Sequence, residues 1–120
     1  MLKIYHLANC TTCQRILKEL QPGPEVSLQD IKTEAITEEQ IEEMKELSGS
    51  YESLFSRRAM KYRSMGLNEM KLTEADYKRY ILEEYTFLKR PVMIFEDEIF
   101  VGNTKKVVAA AKVKLSGLSQ

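Results

Sequence analysis

Cys10 and Cys13 are the only cysteines in 120 residues, and they stand three apart as Cys10-Thr11-Thr12-Cys13. The pair closes an apolar run over residues 1–7 and opens an amphipathic segment over residues 13–20. A strand that delivers Cys-x-x-Cys to the start of a helix is a recurring arrangement for thiol–disulfide exchange. Unpaired N–H groups and the positive end of the helix dipole favour a thiolate there, drawing a pKa of about 8.5 toward neutrality. A helical Cys13 lies one turn from Cys10 on the same side, placed to resolve a mixed disulfide.

Other uses of such a pair fit less well. A zinc half-site needs two further ligands, and the chain holds one histidine, His6, and no third cysteine. Haem attachment needs a histidine after the second cysteine, where Gln14 stands. A purely structural disulfide would close so small a loop that it constrains little of the unfolded chain. Two ordinary core thiols remain the plain alternative. His6, four residues before Cys10, is a candidate for lowering a thiol pKa. Its strand phase equally allows a place in solvent or in sheet packing.

The elements that must hold the pair follow from periodicity. Leu2, Ile4, Tyr5 and Leu7 read as a short buried strand. Cys13, Ile16, Leu17 and Leu20 form one face of a helix that stops before Pro22-Gly23-Pro24. A second strand over residues 26–31 alternates Val26 and Leu28 with Ser27 and Gln29. Thr37-Glu38-Glu39-Gln40 has capping-box form and opens a helix with Ile41, Met44 and Leu47 inward, ending near Gly49. A helix is expected over residues 53–65, and another from Thr73 carrying Tyr77, Tyr80, Ile81 and Leu88. Residues 91–95 and 99–101 read as a hairpin about Glu96-Asp97-Glu98. Residues 105–115 close the chain as a helix, with a frayed tail over 117–120. Met60, Met65, Met70 and Met93 are expected to fill core gaps.

This order, β-α-β, a helical block, then β-β-α, predicts an α/β fold on the thioredoxin/glutaredoxin-like plan, with a mixed sheet and an inserted helical block. The chain is long enough for one domain, 1–120, with halves at about 1–34 and 88–116 and the insertion at about 36–87. Lys plus Arg and Asp plus Glu both total 18, so no net field draws the chain onto nucleic acid or an acidic membrane. No apolar stretch approaches the roughly 20 residues that span a bilayer. No cleavable signal is apparent, and a cytoplasmic location is expected, where reductants would cycle the pair.

Four segments in order resemble the arsenate reductase (ArsC)/Spx family across nearly the whole chain. They are Cys10-Thr11-Thr12-Cys13, the stretch from Leu54 to Tyr62 with Ser56-Arg57-Arg58, the Arg90-Pro91 strand start, and Val101-Gly102 after the hairpin. The resemblance implies a cis Pro91 set against the reactive thiol; without it, Pro91 reads as a trans residue at a strand end. Three positions depart from the arsenate reductases. Val101-Gly102-Asn103-Thr104-Lys105 holds no third arginine, Leu7-Ala8 replaces Asn-Pro, and Gln14 stands where an arginine commonly follows the second cysteine.

Phe55, Arg58, Tyr62 and Met65 recur at spacings of three and four, which puts Arg58 on an inward stripe and Arg57 with Lys61 on a solvent row. An inward guanidinium needs a partner: an acid, or an oxyanion or thiolate that its fork of donors suits. Arg90 reads either as a second such group or as an exposed strand-end charge. The expected function is a cytosolic thiol-dependent reductase with Cys10 as nucleophile and Cys13 as resolving thiol. Arg58 and Arg90 would stabilise charge, and Thr11, Thr12 and Pro91 would line the anion pocket. Its substrate would be a small oxyanion or a protein disulfide. It needs no bound cofactor, only an external thiol reductant: glutathione, glutaredoxin or thioredoxin. The alternative is an Spx-like redox sensor that binds RNA polymerase, with Gly49 in roughly the segment that makes that contact.

Overall fold

The computed structural model describes residues 1–118, which form two compact units. The first joins Met1–Glu34 to the chain from Arg90 onward, and the second is Ala35–Lys89.

In the first unit, strands β1 (Leu2–His6), β2 (Ser27–Asp30), β3 (Val92–Phe95) and β4 (Glu98–Val101) form one sheet in the order β2-β1-β3-β4. β1 pairs in parallel with β2 and antiparallel with β3, so the sheet is mixed, as expected. β3 and β4 are the hairpin, and Glu96 takes the left-handed conformation in its turn, φ 60°. The parallel β1–β2 pair requires a crossover, and helix α1 (Thr11–Leu20) supplies it. α1 ends at Gln21, also left-handed at φ 47°, ahead of Pro22.

One face of the sheet carries one apolar cluster. Ile4, Met93 and Phe95 pack with Ile16 and Leu20 of α1, and with Val108, Ala111 and Leu115 of the last helix, α5 (Lys105–Leu118). The Thr104 hydroxyl accepts the Val107 N–H at the start of α5. α5 outruns its expected end, since Gly117 and Leu118 are helical rather than frayed; Ser119 and Gln120 lie outside the described residues. The second strand keeps the expected burial at Val26 and Ser27 and reverses it at the next two residues. Gln29 is buried and Leu28 is half exposed, because Leu28 is on an edge strand beyond the reach of the α1–α5 cluster. Gln29 is accommodated by donating its amide to the Glu34 carbonyl at 3.0 Å.

The second unit holds α2 (Glu38–Ser48), α3 (Met60–Ser64) and α4 (Glu74–Glu83), with single 3-10 turns at Glu52–Leu54, Leu67–Glu69 and Tyr85–Phe87. The capping box at Thr37 and Gln40 forms as read, and Thr73 with Asp76 makes a second. Gly49 ends α2 at φ 98°, where a side chain would be strained.

The expected helix over 53–65 does not form as one piece. Phe55 is extended and bridges Leu88, while the Ser56 N–H reaches the Phe87 carbonyl and the Lys89 N–H reaches that of Leu54. These tertiary bonds occupy groups that a helix would need, and Phe55 is enclosed by Phe87, Tyr77 and Tyr62 with ring centroids 4.9–5.9 Å away. Leu88 accordingly leaves α4 and is buried at the bridge. Met60, Met65 and Met70 are 90%, 48% and 54% exposed, so only Met93 fills the core as expected.

Candidate functional site

Cys10 is the residue before the first turn of α1, in extended conformation, with φ −96° and ψ 118°. Its backbone is fixed on both sides. The Cys10 N–H donates to the Leu7 carbonyl at 3.1 Å, closing a turn, and the Gln14 N–H donates to the Cys10 carbonyl at 2.9 Å, the first bond of the helix. The turn before it is held a third time, by the Gln14 side-chain amide on the Ala8 carbonyl at 2.7 Å. Cys10 is half-buried and Cys13 fully buried, and both are free thiols.

This setting divides the two sulfurs. Burial alone would push Cys10 up, but it is outweighed. The Cys13 N–H, the Cys13 thiol, the Thr12 N–H and the Arg90 charge all favour the thiolate, and the net effect is downward. The ionised sulfur is the state that gains from these donors. Cys13 moves the opposite way. Burial, then the charge and hydrogen bond of Cys10, push it up to about 11 against the Leu7 backbone N–H and Arg90. One proton is thus held on the inner sulfur and directed at the outer one.

The sequence-selected residues fall into two groups. Cys10, Thr11, Thr12, Cys13, Arg90 and Pro91 all belong to the first unit. Thr11 is exposed and Thr12 half-buried in the first turn of α1, and the Arg90–Pro91 peptide is cis, as the resemblance implies. Arg90 is half-buried, ahead of β3, and acts on both thiols. Arg58 belongs to the second unit. It is exposed on the turn before α3, not on an inward helical stripe, because the helix that would have carried the stripe is interrupted at Phe55. Its neighbour Arg57, assigned to a solvent row, binds Glu52 at 2.7 Å and the Tyr77 hydroxyl at 3.1 Å. Lys61 pairs with Glu84 at 2.6 Å.

His6 packs into the sheet. It is 9% exposed, with Nδ1 buried and without a hydrogen-bond partner, and it is not among the leading influences on Cys10. Gln14 signals no chemistry by its type. Its position, four residues into a helix and six after the carbonyl it holds, was the available clue. Among the described residues no group of three or more His, Cys, Asp or Glu is placed to hold a metal ion. No helix among them is long and apolar enough to cross a membrane.

A mixed four-stranded sheet with Cys-x-x-Cys at its first strand–helix junction defines a thioredoxin-like protein. Residues 5–111 match the ArsC family, and the chain belongs to it. Several solved structures share the fold. The YFFB protein is 22% identical, with a TM-score of 0.76 over 92% of this chain and 98% of its own. An arsenate reductase from Vibrio cholerae is 17% identical, with a TM-score of 0.73 over 92% and 96%. An arsenate reductase (ArsC) related protein from Brucella melitensis is 22% identical, with a TM-score of 0.70 over 91% and 92%. No curated protein sequence matches the chain significantly.

Proposed function

We propose that the protein is a thiol-dependent reductase of the arsenate reductase-like type, working in a reducing compartment such as the cytoplasm. The observation that supports this most is the opposed pair of sulfurs. Cys10 is favoured as a thiolate at a helix N-terminus beside Arg90, while Cys13 keeps its proton to about 11.

In this reading the Cys10 thiolate attacks an oxidised centre. With a disulfide substrate it forms a new S–S bond and expels one thiolate, which takes up a proton. Cys13 then loses its proton and attacks the Cys10 sulfur. The second substrate thiol leaves, and a Cys10–Cys13 disulfide holds the two electrons' worth of oxidation. Two external thiols from glutathione, glutaredoxin or thioredoxin restore the pair. With arsenate the same two electrons reduce As(V) to As(III), and one oxygen leaves as water.

Thr11 and Thr12 line the anion pocket with their N–H groups, Pro91 borders it, and Arg90 supplies positive charge. Arg58 enters only through the resemblance of its segment to the family. Gly49, on which the polymerase-binding alternative rests, already has a structural use as the left-handed cap of α2.

The test is turnover by Cys10→Ser and Cys13→Ser. The first should be inactive with every substrate, and the second should accumulate a mixed disulfide between Cys10 and substrate. Arsenate turnover undetectable with all three thiol donors would remove arsenate as the substrate. Full activity of Cys10→Ser would overturn the reading.

A further inference from the structure

We propose that Gln14 is a positioning residue for the Cys10 thiolate, an inference that rests on the reading of Cys10 as the reactive sulfur. Three hydrogen bonds fix the sulfur-bearing turn, and two are backbone bonds that any sequence would make: Cys10 N–H to Leu7 and Gln14 N–H to Cys10. The third depends on residue type. Gln14 Nε2 donates to the Ala8 carbonyl at 2.7 Å, six residues back.

Counted from Cys10 as N-cap, Gln14 is the fourth helical residue and Ala8 lies two positions before the cap. A contact between the fourth helical residue and the chain just outside the helix sets the angle at which the chain enters. It is usually apolar, and here a side-chain amide makes it.

The consequence is electrostatic. N–H groups at a helix start stabilise an anion only while they converge on it, and the gain falls off within one turn. The Thr12 and Cys13 N–H groups and the Cys13 thiol must all face the Cys10 sulfur together. Releasing the Ala8 carbonyl lets the turn 7–10 rotate against α1, so that some of these donors face water instead. The neutral thiol gains little from them, so the thiolate bears the loss. Gln14 therefore acts on Cys10 through the backbone.

The test is the pH profile of Cys10 alkylation by iodoacetamide in the full chain, for wild type, Gln14→Met, Gln14→Ala and Gln14→Arg. Met keeps the length and helix preference of Gln but cannot donate. Met and Ala should move the inflection upward and slow alkylation at pH 7 by about threefold, the factor one exposed neutral hydrogen bond is worth. Circular dichroism should show unchanged helix content, and Gln14→Arg should restore the wild-type rate. A Gln14→Met profile that superimposes on wild type would overturn the inference and leave the Cys10 reading intact. A wild-type profile already at the ordinary thiol value would overturn both. Equal slowing in Met, Ala and Arg would also overturn it, because donation would then not matter.

Discussion

Cys13 should make the folded chain sensitive to alkali in a way that one substitution removes. The comparison is between Cys10→Ser and Cys10→Ser/Cys13→Ala, so that a single thiol titrates and no internal disulfide forms. Cys13 is 0% exposed and is pushed from an ordinary 9.0 up to about 11. Below pH 9 it is protonated in both folded and unfolded chains, and its preference for the folded interior is fully present. Between 9 and 11 the unfolded chain sheds the proton and the folded chain does not, so the unfolded state is favoured increasingly as pH rises. The loss levels off above 11. The interval is 11 − 9.0 = 2, which at about 1.36 kcal/mol per unit sets an upper bound of roughly 3 kcal/mol. Removing Cys10 deletes its charge and its hydrogen bond, the two influences besides burial that raise Cys13, so a smaller loss, on the order of 1 kcal/mol, should survive in this background. Urea denaturation of both chains at pH 8, 9.5 and 11 measures the gap between them, with Lys and Tyr titrations cancelling in the difference. A gap that narrows by on the order of 1 kcal/mol across that range fits the argument. A gap that stays constant would show that Cys13 ionises as readily in the folded chain as in the unfolded one, and would refute it.

Arg90→Gln should move the Cys10 alkylation profile upward and slow the reaction at neutral pH, because the substitution removes a charge that favours the thiolate. An unchanged profile would take Arg90 out of the site. Phe55→Ala should cost about 3–5 kcal/mol in urea denaturation, since a fully buried ring in contact with three other rings is lost. In dilute peroxide, peptide mapping should find Met60, Met65 and Met70 oxidised well before Met44 and Met93, which are fully buried. Equal oxidation of all five would contradict the packing described.

Much of the fold was legible because local signals and tertiary demands agreed. The apolar strand over residues 1–7, the amphipathic face from Cys13 to Leu20 and the capping box at Thr37 each describe an element that forms where it is read. The failures came where long-range bonds prevailed. Phe55, Arg58, Tyr62 and Met65 have helical spacing, but the bridge from Phe55 to Leu88 takes the backbone out of the helix. Arg58 and Met65 are then left exposed. In β2 the alternation of Val26 and Leu28 gave no sign that the strand lies at the sheet edge, where Leu28 is uncovered and Gln29 finds a carbonyl. At the site, the thiol pair could be picked by type and spacing, and Arg90 through the resemblance of the Arg90-Pro91 strand start to the family. Gln14 could not, because its contribution is one bond to a main-chain oxygen that only the folded turn presents.

The central claim is that the Cys10 sulfur is ionised more readily than an ordinary thiol, and that Cys13 is not. Mass-spectrometric alkylation of the reduced protein, with each cysteine followed separately from pH 5 to 10, tests this directly. The account predicts that Cys10 reacts with an inflection below 8.5 and that Cys13 stays unmodified through neutral pH. Equal reactivity of the two, or a Cys10 inflection at or above the ordinary thiol value, would contradict it.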